Sequence, residues 1–300
     1  MPDAVTASGS LRESAAGLVS GAISRCIVAP LDVIKIRQQI SPGSRAPSMG
    51  EVVRRVLEAD GAMGMWRGNL PALALWASYS AIQFPVYRAA VSWLQQRGLP
   101  GPASHATGGA AAGALATLLT YPLDLLRTRS IAASSVSTAH PSLVQLVRGQ
   151  LAGHSWRGLY HGLSPALVAV APSNGVLFLV YEPLREAFAG HSGVMHHVGT
   201  ALGVGSAAGA AAGIASKLVT YPLDTARKRM QVYTMTAPQR NGYTLQQCLV
   251  DTYAEAGVRG LYRGLSPALI KVAVSMGPAL AVYEAVRTAL TGPVHLSRPK

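Results

Sequence analysis

The sequence predicts an all-helical membrane protein with six transmembrane helices in three similar repeats. Three observations support this prediction: an apolar composition, a pattern of about one hundred residues that occurs three times, and two long apolar stretches in each copy. Charged residues make up 13% of the 300-residue chain and hydrophobic residues 49%, whereas a soluble domain has about 25% charged residues. Too little polar surface remains for a soluble fold.

The formal net charge of +13 suits nucleic acids, anionic membrane surfaces or anionic ligands as partners. The basic residues recur beside apolar stretches instead of forming one patch with interleaved aromatic residues, which argues against nucleic acid. Cys26 and Cys248 are the two cysteines, too few for a disulfide framework and without metal-ligand spacing. We therefore expect free thiols and no metal. No signal or transit peptide is recognisable at the start, so we expect targeting information within the chain.

A repeated set of glycines, prolines and aspartates divides the chain into three units. The first set consists of Gly17, Gly21, Pro30 and Asp32, then Gly109, Gly113, Pro122 and Asp124, then Gly209, Gly213, Pro222 and Asp224. A second set follows as Gly68, Pro71 and Tyr87, then Gly162, Pro165 and Tyr181, then Gly264, Pro267 and Tyr283. The pattern predicts a single domain over residues 1–300, with repeats at 12–97, 104–188 and 197–291.

Each repeat contains two apolar stretches, which we place at 12–38, 68–96, 105–130, 161–188, 197–231 and 264–290. Each exceeds the roughly 20 residues that a helix needs to cross the hydrocarbon core. Because backbone groups in lipid must be hydrogen-bonded within the segment, helices are favoured over strands. The links near 49–60, 142–151 and 244–255 have the apolar spacing of short amphipathic helices on the membrane surface.

The repeated residues have physical roles that the spacing predicts. The paired glycines favour close packing between helices, and the prolines favour kinks inside the first helix of each repeat. A base follows each aspartate three residues later, on the same helix face. Since charges in a membrane segment must face water or one another, we expect a ring of ion pairs formed by Asp32, Asp124, Asp224, Lys35, Arg127 and Arg227. The alternative, in which each base reaches lipid headgroups separately, does not require the aspartates.

Three further cations lie within apolar stretches. Arg25 and Lys217 precede their prolines by five residues, Thr117 fills the equivalent middle position, and Lys271 lies in the sixth stretch. Without a nearby acidic partner in sequence, these cations should line a water-filled cavity and receive a ligand with about two or more negative charges. Internal pairing of these cations for structural reasons is the alternative.

The segments PLDVIKIR, PLDLLRTR and PLDTARKR resemble the threefold signature of the mitochondrial carrier family, over residues 15 to about 290. Asp60, Gly61, Trp66, Arg67 and Gly68 match its second signature, as do Glu255, Gly257, Tyr262, Arg263 and Gly264, whereas the middle repeat has His154, Ser155 and His161. The resemblance implies a transporter of the mitochondrial inner membrane, with no enzyme activity and no cofactor. It also implies a monomer with short matrix-side helices and cardiolipin bound at the aromatic-base-glycine turns.

The resemblance further implies two gates and alternating access. The matrix gate would pair Asp32 with Arg127, Asp124 with Arg227 and Asp224 with Lys35, braced by Gln39 and Gln231, with Ile131 in place of a third glutamine. The cytoplasmic gate would contain Tyr181, Glu182, Arg185, Tyr283, Glu284 and Arg287. The first repeat departs from this second pattern, because it has Tyr87, Arg88 and Val91.

The family's substrate contact positions correspond to Leu75, Ala169 and Lys271, with Trp76 and Val170 as neighbours. The segments GAISRCIVAPLDVIKIR, YPLDTARKRMQV and GLSPALIKVA resemble family members that carry thiamine pyrophosphate. Arg25, Lys217 and Lys271 would hold the pyrophosphate, and the apolar positions would face the rings. Trp76 as a lipid-facing aromatic is an open alternative. Adenine nucleotide or coenzyme A as cargo, a scaffold without transport, and the choice between exchange and uniport also stay open.

Overall fold

The computed structural model describes residues 3–136, 142–154, 156–190, 200–236, 243–272 and 274. Among these residues the regular structure is helical and no strand occurs. The α-helices are α1 (Asp3–Ile40), α2 (Met49–Asp60), α3 (Asn69–Gln96), α4 (Gly101–Val136), α5 (Leu143–His154), α6 (Leu163–Gly190), α7 (Thr200–Thr236) and α8 (Leu245–Leu261). Short 3-10 helices cover Ala62–Trp66 and Trp156–Tyr160, and residues 265–272 form a further helical stretch.

The element order repeats three times. A long helix (α1, α4 or α7) is followed by a short one (α2, α5 or α8) and then by α3, α6 or the helical stretch that starts at 265. This order confirms the all-helical fold with three repeats. Most of the predicted sixth span, 264–290, lies outside the described residues.

By length and composition, one described helix qualifies as a membrane span, within Ala103–Ala133, with a mean hydropathy of 1.3. The corresponding parts of α1 and α7 contain more charged residues, among them Lys217 and Lys228, and these lower the hydropathy of the segment. The arrangement of six spans therefore stays a prediction.

The short helices begin in the same way in all three repeats. The Ser48 hydroxyl accepts from the Glu51 backbone N–H (3.1 Å), and the Ser48 N–H donates to the Glu51 carboxylate (2.7 Å). Ser142 with Gln145, and Thr244 with Gln247, exchange the same two bonds. This capping box satisfies two backbone donors and fixes where each short helix starts.

The paired glycines differ in their neighbours. A Cβ on Gly21 would lie 2.3 Å from the far edge of the Trp76 ring, so this side chain of α3 packs directly on Gly21 of α1. At Gly209 and Gly213 no described atom lies within 4 Å of such a Cβ, and most of the predicted sixth span lies outside the described residues. Close packing at these two glycines therefore stays a prediction.

Three equivalent glycines connect each repeat to the next. Gly68, Gly162 and Gly264 have φ values of 74°, 80° and 78°, a conformation that favours glycine. A Cβ on Gly68 would lie 3.0 Å from the Arg127 carbonyl oxygen, on Gly162 3.4 Å from that of Arg227, and on Gly264 2.9 Å from that of Lys35. These contacts run from repeat 1 to 2, 2 to 3 and 3 to 1, and therefore close a ring.

We expect Gly264→Ala to destabilise the protein. The left-handed backbone costs roughly 1–3 kcal/mol for a residue with a side chain, and the added methyl would also collide with the Lys35 carbonyl 2.9 Å away. Gly98→Ala is the matched control, since Gly98 has a φ of 83° but open space around it. Thermal unfolding of the purified protein should show a larger loss for Gly264→Ala. Equal losses would mean that the contact with α1 contributes nothing.

Candidate functional site

The six ion-pair residues predicted on the three long helices come together in the structure. Arg127 Nη2 lies 2.5 Å from Asp32 Oδ2. Arg227 Nη2 lies 3.1 Å from Asp124 Oδ2, and Lys35 Nζ lies 3.7 Å from Asp224 Oδ2. We call these six residues the ion-pair ring. They face one another across α1, α4 and α7 instead of pointing separately to the membrane surface.

The ion-pair ring lines a cavity of about 430 Å³. The other lining residues are Ile36, Gly209, Lys217, Lys228, Ala268, Lys271 and Val272. Six of the described lining side chains are basic and three are acidic, so the cavity has a formal excess of three positive charges. A volume of this size lies within the range of sites for small molecules, and the excess charge favours an anion.

Lys217 and Lys271 line the cavity, and each also has an acidic partner, as the alternative of internal pairing expects. Lys217 Nζ lies 2.7 Å from Asp224 Oδ2, and Lys271 Nζ lies 2.6 Å from Asp32 Oδ1. Lys217 precedes Asp224 by two helical turns, which places both on one face of α7. The partner of Lys271 comes from the other end of the chain. Three carboxylates still cannot neutralise six cations, so the positive excess persists.

Arg25 does not line this cavity. Its guanidinium carbon lies 5.8 Å from the centre of the Trp76 ring, within the range of a cation–π contact. The Trp76 ring therefore packs against two residues of α1: it contacts the Arg25 guanidinium and covers Gly21. Its half-buried ring belongs to the α1–α3 contact.

The two predicted glutamine braces behave differently. Gln231 donates to Asp124 Oδ2 (2.6 Å) and to the Tyr121 hydroxyl (3.1 Å), which fits a brace of the ion-pair ring. Gln39 donates to the Thr225 hydroxyl at 3.5 Å and makes no described hydrogen bond to Asp224. Ile131 is buried in an apolar cluster, as its side chain requires.

Lys228 was missed by the sequence analysis. Its ammonium lies 2.9 and 2.8 Å from the two carboxylate oxygens of Asp124, 2.9 Å from the Thr128 hydroxyl and 3.1 Å from Gln231 Oε1. The available signal was an extra base between the two expected ones in PLDTARKR, at the position that Ile36 and Thr128 occupy in the other repeats.

Comparison with known proteins supplies the family. A model described as "Mitochondrial carrier protein" matches residues 7–98, 100–192 and 201–293. The chain belongs to the mitochondrial carrier family. It is therefore a multi-pass protein of the mitochondrial inner membrane, and its family is one of transporters.

Individual members of the family are similar to the chain over most of its length. The chain is 37% identical to "Mitochondrial thiamine pyrophosphate carrier 1" of Neurospora crassa, over 91% of this chain and 90% of the relative. Proteins of the same name from Scheffersomyces stipitis and Aspergillus oryzae are 35% and 37% identical, each over 90% of this chain and over 88% and 90% of the relative.

Close to the ion-pair ring of this carrier, the last base of PLDVIKIR and of PLDTARKR binds an acidic residue of the short helix that follows. Arg37 lies 2.9 Å and Arg67 3.2 Å from the buried Asp60 carboxylate. Arg229 lies 2.8 Å from Glu255 and donates to the carbonyls of Gln39 (3.2 Å) and Ser41 (3.1 Å). The two family signatures are thereby joined within the first and third repeats.

The middle repeat of the carrier differs in this layer. Arg129 is 1% exposed and its Nε donates to the Gln231 carbonyl at 3.0 Å. His154 stands where the other repeats have an acid, but its side chain and Ser155 lie outside the described residues. At the equivalent of Arg67 and Arg263, the His161 backbone carbonyl accepts a hydrogen bond from the Tyr121 hydroxyl (2.8 Å), as the Arg263 carbonyl does from Tyr221 (3.0 Å).

The predicted apolar contact positions do not reach the 430 Å³ cavity. Leu75, Trp76, Ala169 and Val170 are half-buried and are not among its lining residues. Val170 instead approaches α4, where it lies 3.5 Å from the place of a Cβ on Gly113.

Of the side chains predicted for the cytoplasmic gate, the structure describes only those of the first repeat. The Tyr87 hydroxyl lies 2.8 Å from His105 Nδ1, and Arg88 is exposed. The side chains of Tyr181, Glu182 and Arg185, and all of Tyr283, Glu284 and Arg287, lie outside the described residues. Their predicted role as a cytoplasmic gate stays a prediction.

Proposed function

We propose that this carrier transports thiamine pyrophosphate across the mitochondrial inner membrane. The observation that supports the proposal best is the cavity among α1, α4 and α7, whose described lining has three more basic than acidic side chains. Buried cations in excess require an anion or water for compensation. The relatives named as thiamine pyrophosphate carriers indicate which anion.

The pyrophosphate group would bind to Lys217 and Lys271. Arg25, which lies beside Trp76, would be the third cation that binds it. Both lysines already hold ring carboxylates, at 2.7 and 2.6 Å. The cargo would therefore exchange one anionic partner for another, and its phosphate oxygens would form charge-assisted hydrogen bonds of similar kind. The cost of removing each lysine from its aspartate is offset by these new bonds.

The thiazolium and pyrimidine rings would face Leu75, Trp76, Ala169 and Val170. Support comes from the neighbouring positions of Trp76 and Arg25, whose guanidinium carbon is 5.8 Å from the indole ring. One side chain could hold phosphate while the other stacks against an aromatic ring. A molecule with an anionic end and a heterocyclic end fits this combination.

Alternating access between two gates would move the cargo. In this proposal six helices span the membrane, in repeats at 12–97, 104–188 and 197–291, with α2, α5 and α8 on the matrix side. The ion-pair ring with Gln39 and Gln231 is the matrix gate. The cytoplasmic gate consists of one cluster from each repeat, namely Tyr87 and Arg88, then Tyr181, Glu182 and Arg185, then Tyr283, Glu284 and Arg287. A monomer with bound cardiolipin completes the proposal.

Uptake by reconstituted proteoliposomes tests the proposed function. Labelled thiamine pyrophosphate, ADP and coenzyme A should be offered at equal concentration, with empty liposomes as the control. We expect thiamine pyrophosphate to enter at least about tenfold faster than the others, a difference of about 1.4 kcal/mol in transition-state free energy. Faster entry of ADP or coenzyme A would assign another phosphorylated cargo, and no entry of any would favour a scaffold.

A further inference from the structure

The three aspartates of the ion-pair ring are not held equally. Asp124 accepts bonds from three side chains of α7, which are Arg227, Lys228 and Gln231. Asp32 is bound across the α1–α4 contact by Arg127 and, from the helical stretch at 265–272, by Lys271. Asp224 shares one oxygen between Lys35 of α1, at 3.7 Å, and Lys217 of its own helix, at 2.7 Å.

Lys228 causes this inequality. Its ammonium reaches both oxygens of Asp124 and the Thr128 hydroxyl, so one α7 side chain holds two α4 residues. The equivalent positions contain Ile36 and Thr128, and neither side chain can supply a positive charge. Of these three equivalent positions, only the one in α7 has a basic side chain, and this side chain links α7 to α4.

The proposed cargo also acts unequally on the ring. Lys271 bonds Asp32 and Lys217 bonds Asp224, so an anion that attracts these lysines removes a partner from each of those aspartates. The described partners of Asp124 include neither lysine. Of these two bonds, Lys271–Asp32 joins α1 to the helical stretch at 265–272, whereas Lys217–Asp224 lies within α7. Cargo binding therefore releases α1 from that stretch and leaves Asp124 with all its donors.

We propose that Lys228 is a positioning residue that keeps α4 and α7 together, so that the matrix gate opens asymmetrically by displacement of α1. This inference rests on the proposed function, because it requires a gate that opens around an anionic cargo. It differs from an opening in which the three repeats separate equally. Lys228 acts through Asp124 and does not have to contact the cargo.

Distances between spin labels test the inference on the full-length carrier. In a background with Cys26→Ala and Cys248→Ala, one label pair at positions 40 and 130 reports on α1–α4, and a second pair at 130 and 235 reports on α4–α7. These positions hold Ile40, Ser130 and Met235, which lie outside the ion-pair ring. Each pair is measured without ligand, with inorganic pyrophosphate and with thiamine pyrophosphate.

We expect the anion to produce a population with a longer 40–130 distance while the 130–235 distance stays unchanged. Lys228→Thr, which copies the second repeat, should let the 130–235 distance lengthen as well, and Lys228→Arg should restore the original pattern. A merely structural role would lower stability without this selective change. Equal lengthening of both pairs in the unmodified carrier, no lengthening of either, or no effect of Lys228→Thr would each overturn the inference.

The two proposals fail in different ways. Inorganic pyrophosphate has the anionic group alone, so it should produce the α1 displacement even if the rings of the true cargo differ. Selective displacement by inorganic pyrophosphate, combined with no uptake of thiamine pyrophosphate, would refute the proposed function and leave the role of Lys228 standing.

Discussion

Lys271→Gln should reduce the rate of thiamine pyrophosphate uptake per unit concentration by about 100-fold. The substitution keeps the length of the side chain nearly constant but removes a charge from the lining of the cavity. A hydrogen bond to a charged group contributes about 1.5–3 kcal/mol, and each 1.4 kcal/mol corresponds to about tenfold. Initial uptake rates in proteoliposomes, over a range of cargo concentrations, measure the effect.

The neighbouring position supplies the control for Lys271→Gln. Ile270 is 42% exposed and does not line the cavity, so Ile270→Ala should leave uptake within about twofold, as is usual for substitutions outside the site. Thermal unfolding of both variants shows whether reduced uptake is accompanied by a loss of stability, since Lys271 is one of the two basic partners of Asp32. Near-normal uptake by Lys271→Gln would contradict the assignment of this lysine to the cargo.

Asp124→Asn should be the most destabilising of the ring substitutions. The Asp124 side chain is 7% exposed, and without its charge Arg227 and Lys228 are left close together in a buried place. Removing one member of a buried ion pair costs roughly 3–5 kcal/mol. We expect a fall of about 5–15 °C in Tm, measured by thermal unfolding of the purified carrier.

Asp224→Asn is the matched comparison for Asp124→Asn. Asp224 is more exposed, at 19% of its side chain. Its partner on the neighbouring helix, Lys35, lies 3.7 Å away, and its closer partner at 2.7 Å, Lys217, belongs to α7 itself. We therefore expect a smaller fall in Tm than at Asp124. An equal or larger fall at Asp224 would show that the ring is held evenly, against the inequality that the distances indicate.

The repeats and the ion-pair ring could be predicted because each depends on local spacing. A proline, an aspartate and a base at fixed intervals place both charges on one helix face, and three copies of that face meet around one axis. The glycines gave a less specific prediction, because a Cβ on Gly21 would collide with the Trp76 ring, whereas one on the equivalent Gly113 would lie 3.5 Å from Val170. Which face of a helix meets a neighbour depends on the tertiary structure.

The acidic partner of one cavity lysine could be predicted better than that of the other. Lys217 and Asp224 lie two turns apart on α7, so their contact was accessible from helical geometry. Lys271 and Asp32 are 239 residues apart, and only the folded chain brings them together. Lys228 differed from its repeat counterparts in sequence, but its three partners on α4 and α7 follow from the packing of the two helices.

The most direct test of the central claim compares thiamine pyrophosphate with thiamine as ligands of the purified carrier. The two molecules have the same rings, and only the first has the anionic group that the positive cavity should bind. A ligand that binds the folded state raises Tm, so thiamine pyrophosphate should raise it, with a smaller effect at high salt, and thiamine should not. Equal stabilisation by thiamine would contradict the claim that excess positive charge receives the cargo.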